Sequence, residues 1–417
     1  MSFLPSLRVP KENLLFSRDM VVCTMLGFSS GLPLFILYNL LSAWLKAEGV
    51  DIKAIGLFAL VGFPYTWKFL WSPLMDRFQI VMLGRRRGWM FVTQLVIMST
   101  VVSIGQFSPQ TDLTAIVVAC GLLAFFSASQ DIVVDAYRRE RLSDANQAAG
   151  TAIFVNAYKL STLVPGALAL ILSDFLPWSM VFFITALFML PGLITTLLVD
   201  EPELIGAPPR TLRDAVVLPF KAFVESHGWR QVILLLAFIF LYKLGDSMAT
   251  ALATPFYMDL GFSRTEIGIV AKNAGLWASL AGGILGVIWM KKTGVNRALW
   301  IFGVAQAAAI LGFAVLAKTG TNLWVLGWVI GTEAFAVGLG TAAFTAFIAQ
   351  STDIRYTATQ FALFTSLSAV PRTFINATTG FIVAHTGWFN FFLICTALAV
   401  PGLLLLPKVA PWRDANR

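Results

Sequence analysis

Of the ionisable residues inside long apolar runs of this chain, six are singled out: Lys159, Lys243, Asp246, Lys272, Glu333 and Arg372. A charge in hydrocarbon is costly, so such residues pair, face a water-filled cleft, or bind and move ions. Lys243 and Asp246 are three residues apart, which puts them on one helical face as a candidate ion pair. Glu333 has no basic neighbour on its own run, so it is a candidate proton carrier. The stretch SASQDIVVDAYRRER, residues 127–141, adds Asp131 and Asp135 on one face at a four-residue spacing, followed by three arginines. Asp131 is one turn deeper than Asp135, about 6 Å at 1.5 Å per residue. Asp131 is therefore read with Asp246 and Glu333 as a proton-coupling carboxylate, the alternative being an ion pair with Lys159 or Arg77. Asp135 is read as a gate residue, with Arg138, Arg139 or an arginine near residue 85 as partner. Four cations against two anions among the six buried positions favour an anionic solute carrying carboxylates or phosphates. Tyr38, Asn39, Asn156 and Tyr158 are neutral groups suited to hydroxyls and amides. Trp44, Trp67 and Trp277 could stack on a sugar face or anchor the chain at the membrane interface.

These residues need elements to carry them, and the composition indicates which. Of 417 residues, 58% are hydrophobic and only 12% charged, against about 25% in soluble domains. Mean hydropathy is +0.78. The expectation is an all-α polytopic membrane protein bound to the lipid bilayer. Twelve spans are predicted, at about 19–45, 52–75, 89–107, 112–137, 148–173, 178–199, 230–255, 263–290, 297–317, 322–350, 356–384 and 387–407, each near the ~20 residues a bilayer needs. With both termini cytoplasmic, the cytoplasmic segments hold 21 of the 30 Lys and Arg residues, and the outer loops hold Lys46, Lys53, Arg264 and Lys318. The apolar run after Arg8, Lys11 and Arg18 is too long for a cleaved signal peptide. The middle connection holds Leu212, Val216, Phe220 and Val224 at helical spacing, which predicts a helix lying on the membrane surface.

Other chemistries find little support. Cys23, Cys120 and Cys395 are far apart in apolar runs and form no metal-ligand pattern. Residues 27–31, GFSSG, match the serine-hydrolase elbow, but they fall within a span, and His227 and His385 are expected in loops or at a span edge. The expectation is not an enzyme, with no cofactor and no metal. There is no nucleotide-binding loop, and the net charge of +8 belongs to membrane-flanking segments rather than to a nucleic-acid surface.

The chain also repeats. GVDIKAIG (49–56) and GFSRTEIG (261–268) lie 212 residues apart, each opening the second span of its half, with a basic loop after each such span. This predicts two parallel-related halves, 1–199 and 230–417, joined by a linker at 200–229. The pattern resembles the major facilitator superfamily: Asp76-Arg77 with GRRR at 84–87 is similar to that family's loop between spans 2 and 3, with a longer gap and Ser72 in place of the leading glycine. The resemblance implies twelve helices in two six-helix halves, and a gating role for Asp76, Arg77, Arg85 and Asp135.

A narrower resemblance runs in order through nearly the whole chain: GFSSGLP, the residues 43–77, LGRRRGW, SASQDIVVDA, YKLGD and ATQFALFTSLSAV are similar to the AmpG muropeptide permeases. The chain lacks two further C-terminal helices that some members carry. The resemblance implies a monomeric inner-membrane importer of anhydro-muropeptides (GlcNAc-anhydroMurNAc with or without peptide) for peptidoglycan recycling, linked to β-lactam resistance. By the same analogy Lys159, Lys243, Lys272, Arg372, Asn39, Asn156 and Tyr38 would face a central substrate cleft, with protons as the coupling ion. Related carriers of acetyl-CoA or siderophores are the alternative.

Overall fold

The computed structural model describes residues 17–71, 83–142, 144–202, 228–351 and 367–412, together with Met75, Ile80, Val224 and Phe364. In hydrocarbon the backbone must satisfy its own N–H and C=O groups, and a helix does so within one segment. The helices are α1 (Arg18–Ala47), α2 (Ile52–Trp67), α3 (Arg85–Ile104), α4 (Leu113–Arg141), α5 (Asp144–Leu160, carried on by Val164–Leu168 and Ala169–Leu172) and α6 (Trp178–Leu198). After the linker come α7 (Trp229–Asp259), α8 (Arg264–Met290), α9 (Val295–Thr319) and α10 (Leu323–Gln350). The last run, Leu367–Val409, has 43 residues. At 1.5 Å per residue it is about twice the ~30 Å bilayer core. It turns at Gly387, whose φ of 73° suits a residue without a Cβ, giving α11 (367–386) and α12 (388–409). With α2, whose helix is short, this accords with twelve spans. Most of the expected surface helix at 200–229 and the first part of the span expected at 356–384 lie outside the described residues.

Helices α1–α6 pack as one bundle and α7–α12 as another. The repeat has a physical basis. Gly49 and Gly261 end their turns at φ 78° and 93°. Asp51 and Ser263 then cap the next helix by accepting from Lys53 and Glu266 backbone N–H groups. The second glycine of each copy meets the opposite bundle: a Cβ on Gly56 would lie 2.8 Å from Gly380 N, and one on Gly268 2.8 Å from Ala167 O. Each copy of the motif thus builds an interhelical turn and a seam contact.

The buried apolar side chains divide in an informative way. At the end that carries the Gly49 and Gly261 turns one core joins both bundles, from Leu41, Trp44 and Phe182 to Phe256, Phe313 and Phe391. Toward the arginine-rich end two cores lie apart, one around Met20, Val133 and Tyr137 and the other around Phe238, Phe302 and Phe347. Among the described residues, the bundles are therefore packed together at one end only.

Candidate functional site

The seam residues sit on irregular helix turns. α1 widens to a π-helical turn at Ile36–Leu40, which carries Tyr38 and Asn39. α5 does so at Val164–Leu168, just past Lys159. α8 does so at Ile267–Ala271, just before Lys272, and α11 at Pro371–Ile375, which carries Arg372. Such turns insert a residue into the helical ladder and recur at functional sites. Here they bring side chains of the two bundles to one level. The Arg372 guanidinium lies 4.3 Å over the Tyr38 ring, a cation–π contact worth about 1 kcal/mol at an exposed position. Lys272 donates to Asn39 at 2.9 Å and to Thr254 at 3.0 Å, and Asn39 donates to Thr162 at 3.1 Å. Thr66 and Thr373 share a hydrogen bond of 3.2 Å across the seam. Lys272 and Arg372, both of the second bundle, thus face the first among amides, hydroxyls and the Tyr38 ring, and among the described residues neither has a carboxylate within ion-pair distance. Lys159 likewise makes no ion pair among the described residues. It does not reach Asp131.

Above this level the seam is shut. A cavity of ≈ 30 Å³ lined by Tyr38, Ser42, Ile55, Leu252 and Asn376 has room for a water and not for a sugar. At the rim opposite the arginine-rich end Lys46 pairs with Asp259 at 2.5 Å, and Trp388 Nε1 donates to the same carboxylate at 3.0 Å. Asp174 accepts from Arg264 Nε at 2.7 Å, from Thr265 N at 2.9 Å and from Thr265 Oγ1 at 2.7 Å. Both ion pairs join one bundle to the other.

Two charged groups lie within the bundles. In the second, Lys243 donates to Gln306 at 2.9 Å and Thr341 at 3.1 Å, and lies 3.9 Å from Asp246. Glu333, on α10, is 6% exposed and lies near enough to Asp246 and Lys243 to feel their charges. Gly340 sits against Gln306, leaving room for its side chain. In the first bundle, Asp131 accepts from Ser30 and pairs with Lys68 at 3.7 Å. Lys68 stands inside the second apolar run, where its position marks it as an intramembrane cation; Lys159, one of the two partners weighed for Asp131, does not take that place, and Arg77, the other, lies outside the described residues.

The arginine-rich end is tied internally. Arg85 and Arg86 both bond Glu140, at 2.9 and 2.7 Å. Glu201 accepts from the backbone N–H of Arg86 and Arg87 at the start of α3, at 2.7 and 3.0 Å. Asp135 pairs with Arg138 on its own helix at 3.0 Å, not with Arg85. Asp76 and Arg77 lie outside the described residues. Asn156 is exposed on α5. Trp44 is buried against Phe182, out of reach of any solute, Trp67 stacks on Phe63, and Trp277 is exposed. The GFSSG segment is helical, and Gly27 and Gly31 admit the backbone of α5.

Gln306, Glu140, Glu201 and Asp174 were not singled out from sequence. For Gln306 the available signal was a neutral amide in an apolar run; the three acids stand at helix ends, where charge is ordinary.

The sequence matches the Major Facilitator Superfamily over residues 23–376. It is 45% identical over 411 residues to an uncharacterised protein of Haemophilus influenzae, covering 96% of this chain and 97% of that one. It is 41% identical over 388 residues to the anhydromuropeptide permease of Escherichia coli K12, covering 92% of this chain and 78% of the relative. The fold is similar to the nucleoside transporter NupG, with a TM-score of 0.74 at 13% identity over 94% of this chain and 99% of that one. It is also similar to a D-xylose–proton symporter, at 0.73 and 15% over 94% and 97%. A twelve-span pattern, two helical bundles meeting on a polar seam and close kinship along nearly the whole chain place this protein in the major facilitator superfamily, among its AmpG-like permeases.

Proposed function

We propose that this permease carries anhydro-muropeptides from periplasm to cytoplasm by proton-coupled alternating access, supplying peptidoglycan recycling. The observation that carries the reading is the pair of cations at the seam, Lys272 and Arg372, held by neutral groups and by Tyr38 and Asn39, with no carboxylate partner among the described residues. A solute bearing carboxylates supplies the missing charge, and its sugar hydroxyls and amides match the surrounding Asn39, Thr254 and Thr162. The similarity to the E. coli anhydromuropeptide permease favours that solute class. Lys159 and Asn156 on α5 extend the cleft toward the open end, and Lys243 provides a further cation.

The chain divides as 1–199, 200–229 and 230–417, acts as a monomer, and places both termini in the cytoplasm, on the basic side. The state described here is then inward-facing, shut at Lys46–Asp259 and Asp174–Arg264. Protons are carried by Asp131 and by the Asp246–Glu333 pair. Two carboxyls that feel each other's charge in a buried site favour keeping one proton, and Lys243, 3.9 Å from Asp246, supplies a positive charge when that proton leaves. Asp76, Arg77, Arg85 and Asp135 order the inner end of the first bundle when it closes.

Uptake of labelled GlcNAc-anhydroMurNAc-tripeptide into proteoliposomes tests the reading. An inside-alkaline gradient should drive accumulation that a protonophore abolishes, and unlabelled muropeptide, not acetyl-CoA, should compete. Glu333→Gln should lose accumulation while keeping exchange. No uptake of the labelled compound by active protein, or full competition by acetyl-CoA, overturns the substrate assignment.

A further inference from the structure

The second helix is the least regular in the first bundle. It is α-helical at Ile52–Leu57, 3₁₀ at Phe58–Gly62, α-helical again at Phe63–Trp67 and 3₁₀ at Lys68–Leu70. A 3₁₀ turn has poorer hydrogen-bond geometry and marks places where a helix can re-form differently. Just past Trp67, this last turn is held to α4 by Lys68 and Trp71, whose ring also packs on Phe125 at 4.9 Å. Lys68 Nζ lies 3.7 Å from Asp131 Oδ2, and Trp71 Nε1 donates to Ser129 Oγ at 3.0 Å. The Asp131 side chain is 13% exposed and that of Lys68 33%. Asp131 is the one carboxylate that Lys68 pairs with among the described residues. Around Asp131 stand Ser30 from α1, Tyr65 and Lys68 from α2, Tyr158 from α5 and, one turn along α4, Asp135. Among the described residues Lys68 is therefore the one cation against it.

We propose that Lys68 is a positioning residue that senses the charge on Asp131 and converts its protonation into release of the inner end of α2 from α4. The inference rests on proton coupling through the intramembrane carboxylates. A proton from cleft water adds to Asp131, and Lys68 keeps its own. The ion pair is then lost, and an ammonium group stands at membrane depth without a counter-charge. An unpaired charge there is costly, so the lysine moves toward the open cleft. The short 3₁₀ turn lets the α2 end follow, while Trp71–Ser129, which is neutral, provides a contact that can re-form on return. The regular helices α3 and α4 have no such joint beside a charge.

The experiment compares Lys68→Gln, Lys68→Arg, Asp131→Asn and the double variant Lys68→Gln/Asp131→Asn in the full-length protein in proteoliposomes. Two quantities are read with labelled GlcNAc-anhydroMurNAc-tripeptide: proton-driven accumulation and exchange at equal pH. Lys68→Gln should lose at least tenfold in accumulation and stay within about threefold of the parent in exchange. Lys68→Arg should retain both. The double variant should exchange faster than Asp131→Asn alone, because it leaves no unpaired ammonium. A purely structural role for Lys68 lowers exchange and accumulation together, and that result overturns the proposal. Full accumulation by Lys68→Gln overturns it as well. If the parent itself accumulates label in the presence of a protonophore, the proton-coupling reading has failed; if the parent is protonophore-sensitive and Lys68→Gln behaves like it, the role of Lys68 alone has failed.

Discussion

Replacing Asp174 by Ala should open the outer rim, and the structure indicates by how much. Its carboxylate receives three short hydrogen bonds, from Arg264 Nε and from the N–H and hydroxyl of Thr265, and all three cross from one bundle to the other. Bonds to a charged group contribute up to about 1.5–3 kcal/mol each when buried. The pair is about one quarter exposed, at 27% and 23%, so solvent screening reduces the set to about 2 kcal/mol in total. The open state regains water at the same groups, so that sum is the closed state's advantage. About 2 kcal/mol is about a 30-fold change in the open-to-closed ratio. A closed share starting near 99% would fall to about 77%. Spin labels across the outer face, read as distance distributions in lipid nanodiscs, measure the shift directly. Arg264→Ala should give a smaller shift, since Thr265 still bonds Asp174, and the double variant should not exceed the sum of the two. Unchanged distance populations in Asp174→Ala would refute the assignment of this pair as a gate. The pH response follows from the same geometry. Burial on its own raises the Asp174 carboxyl, but the bonds from Thr265 and Arg264 outweigh it and hold the group below its ordinary range. A carboxyl lowered in the closed state favours closure fully above its ordinary value of about 3.9, and that advantage fades as pH falls through the lowered value. The Asp174 contribution to closure, read as the difference between the parent and Asp174→Ala, should therefore be flat from about pH 5 to 8, which the same labels test.

Further variants test the rest of the framework. Glu140→Ala leaves the buried guanidinium groups of Arg85 and Arg86 without their shared carboxylate, and should cost about 3–5 kcal/mol, seen as a lower melting temperature and poor recovery from detergent; Glu140→Asp should recover part of it. Gly31→Ala places a Cβ 2.5 Å from Tyr158 O and 2.6 Å from Ser161 Oγ, so α1 and α5 must separate at a cost of about 1–3 kcal/mol. Gly121→Ala meets nothing within 4 Å and should be neutral or stabilising by up to about 1 kcal/mol. Equal melting temperatures for the two glycine variants would contradict the packing described.

The sequence by itself determined the solvent, the spans and the kinship. A bilayer accepts little but helices of about 20 apolar residues, so length and hydropathy were enough to place the apolar spans. The repeat at 49–56 and 261–268 was legible because both copies build the same local structure, with a left-handed glycine, a helix cap and a small residue at a contact. The intramembrane charges were legible for the same reason that they are rare. Their partners were not. Lys243 and Asp246 pair through a single helix, so their spacing sufficed, whereas Asp131 and Lys68 meet only because α2 packs on α4. Glu333 comes near Lys243 and Asp246 only because α10 and α7 share one packed bundle. Asp135 and Arg85 carry opposite charges near one end of the bundle, yet each found a nearer partner, Arg138 and Glu140. The π-helical turns that align Tyr38, Asn39, Lys272 and Arg372 leave the 3.6-residue pattern nearly intact over a span, so no periodicity announces them. A sequence states which charges enter the membrane; which charge neutralises which depends on distances of a few ångströms between helices far apart in the chain, and only the packed bundles set those distances.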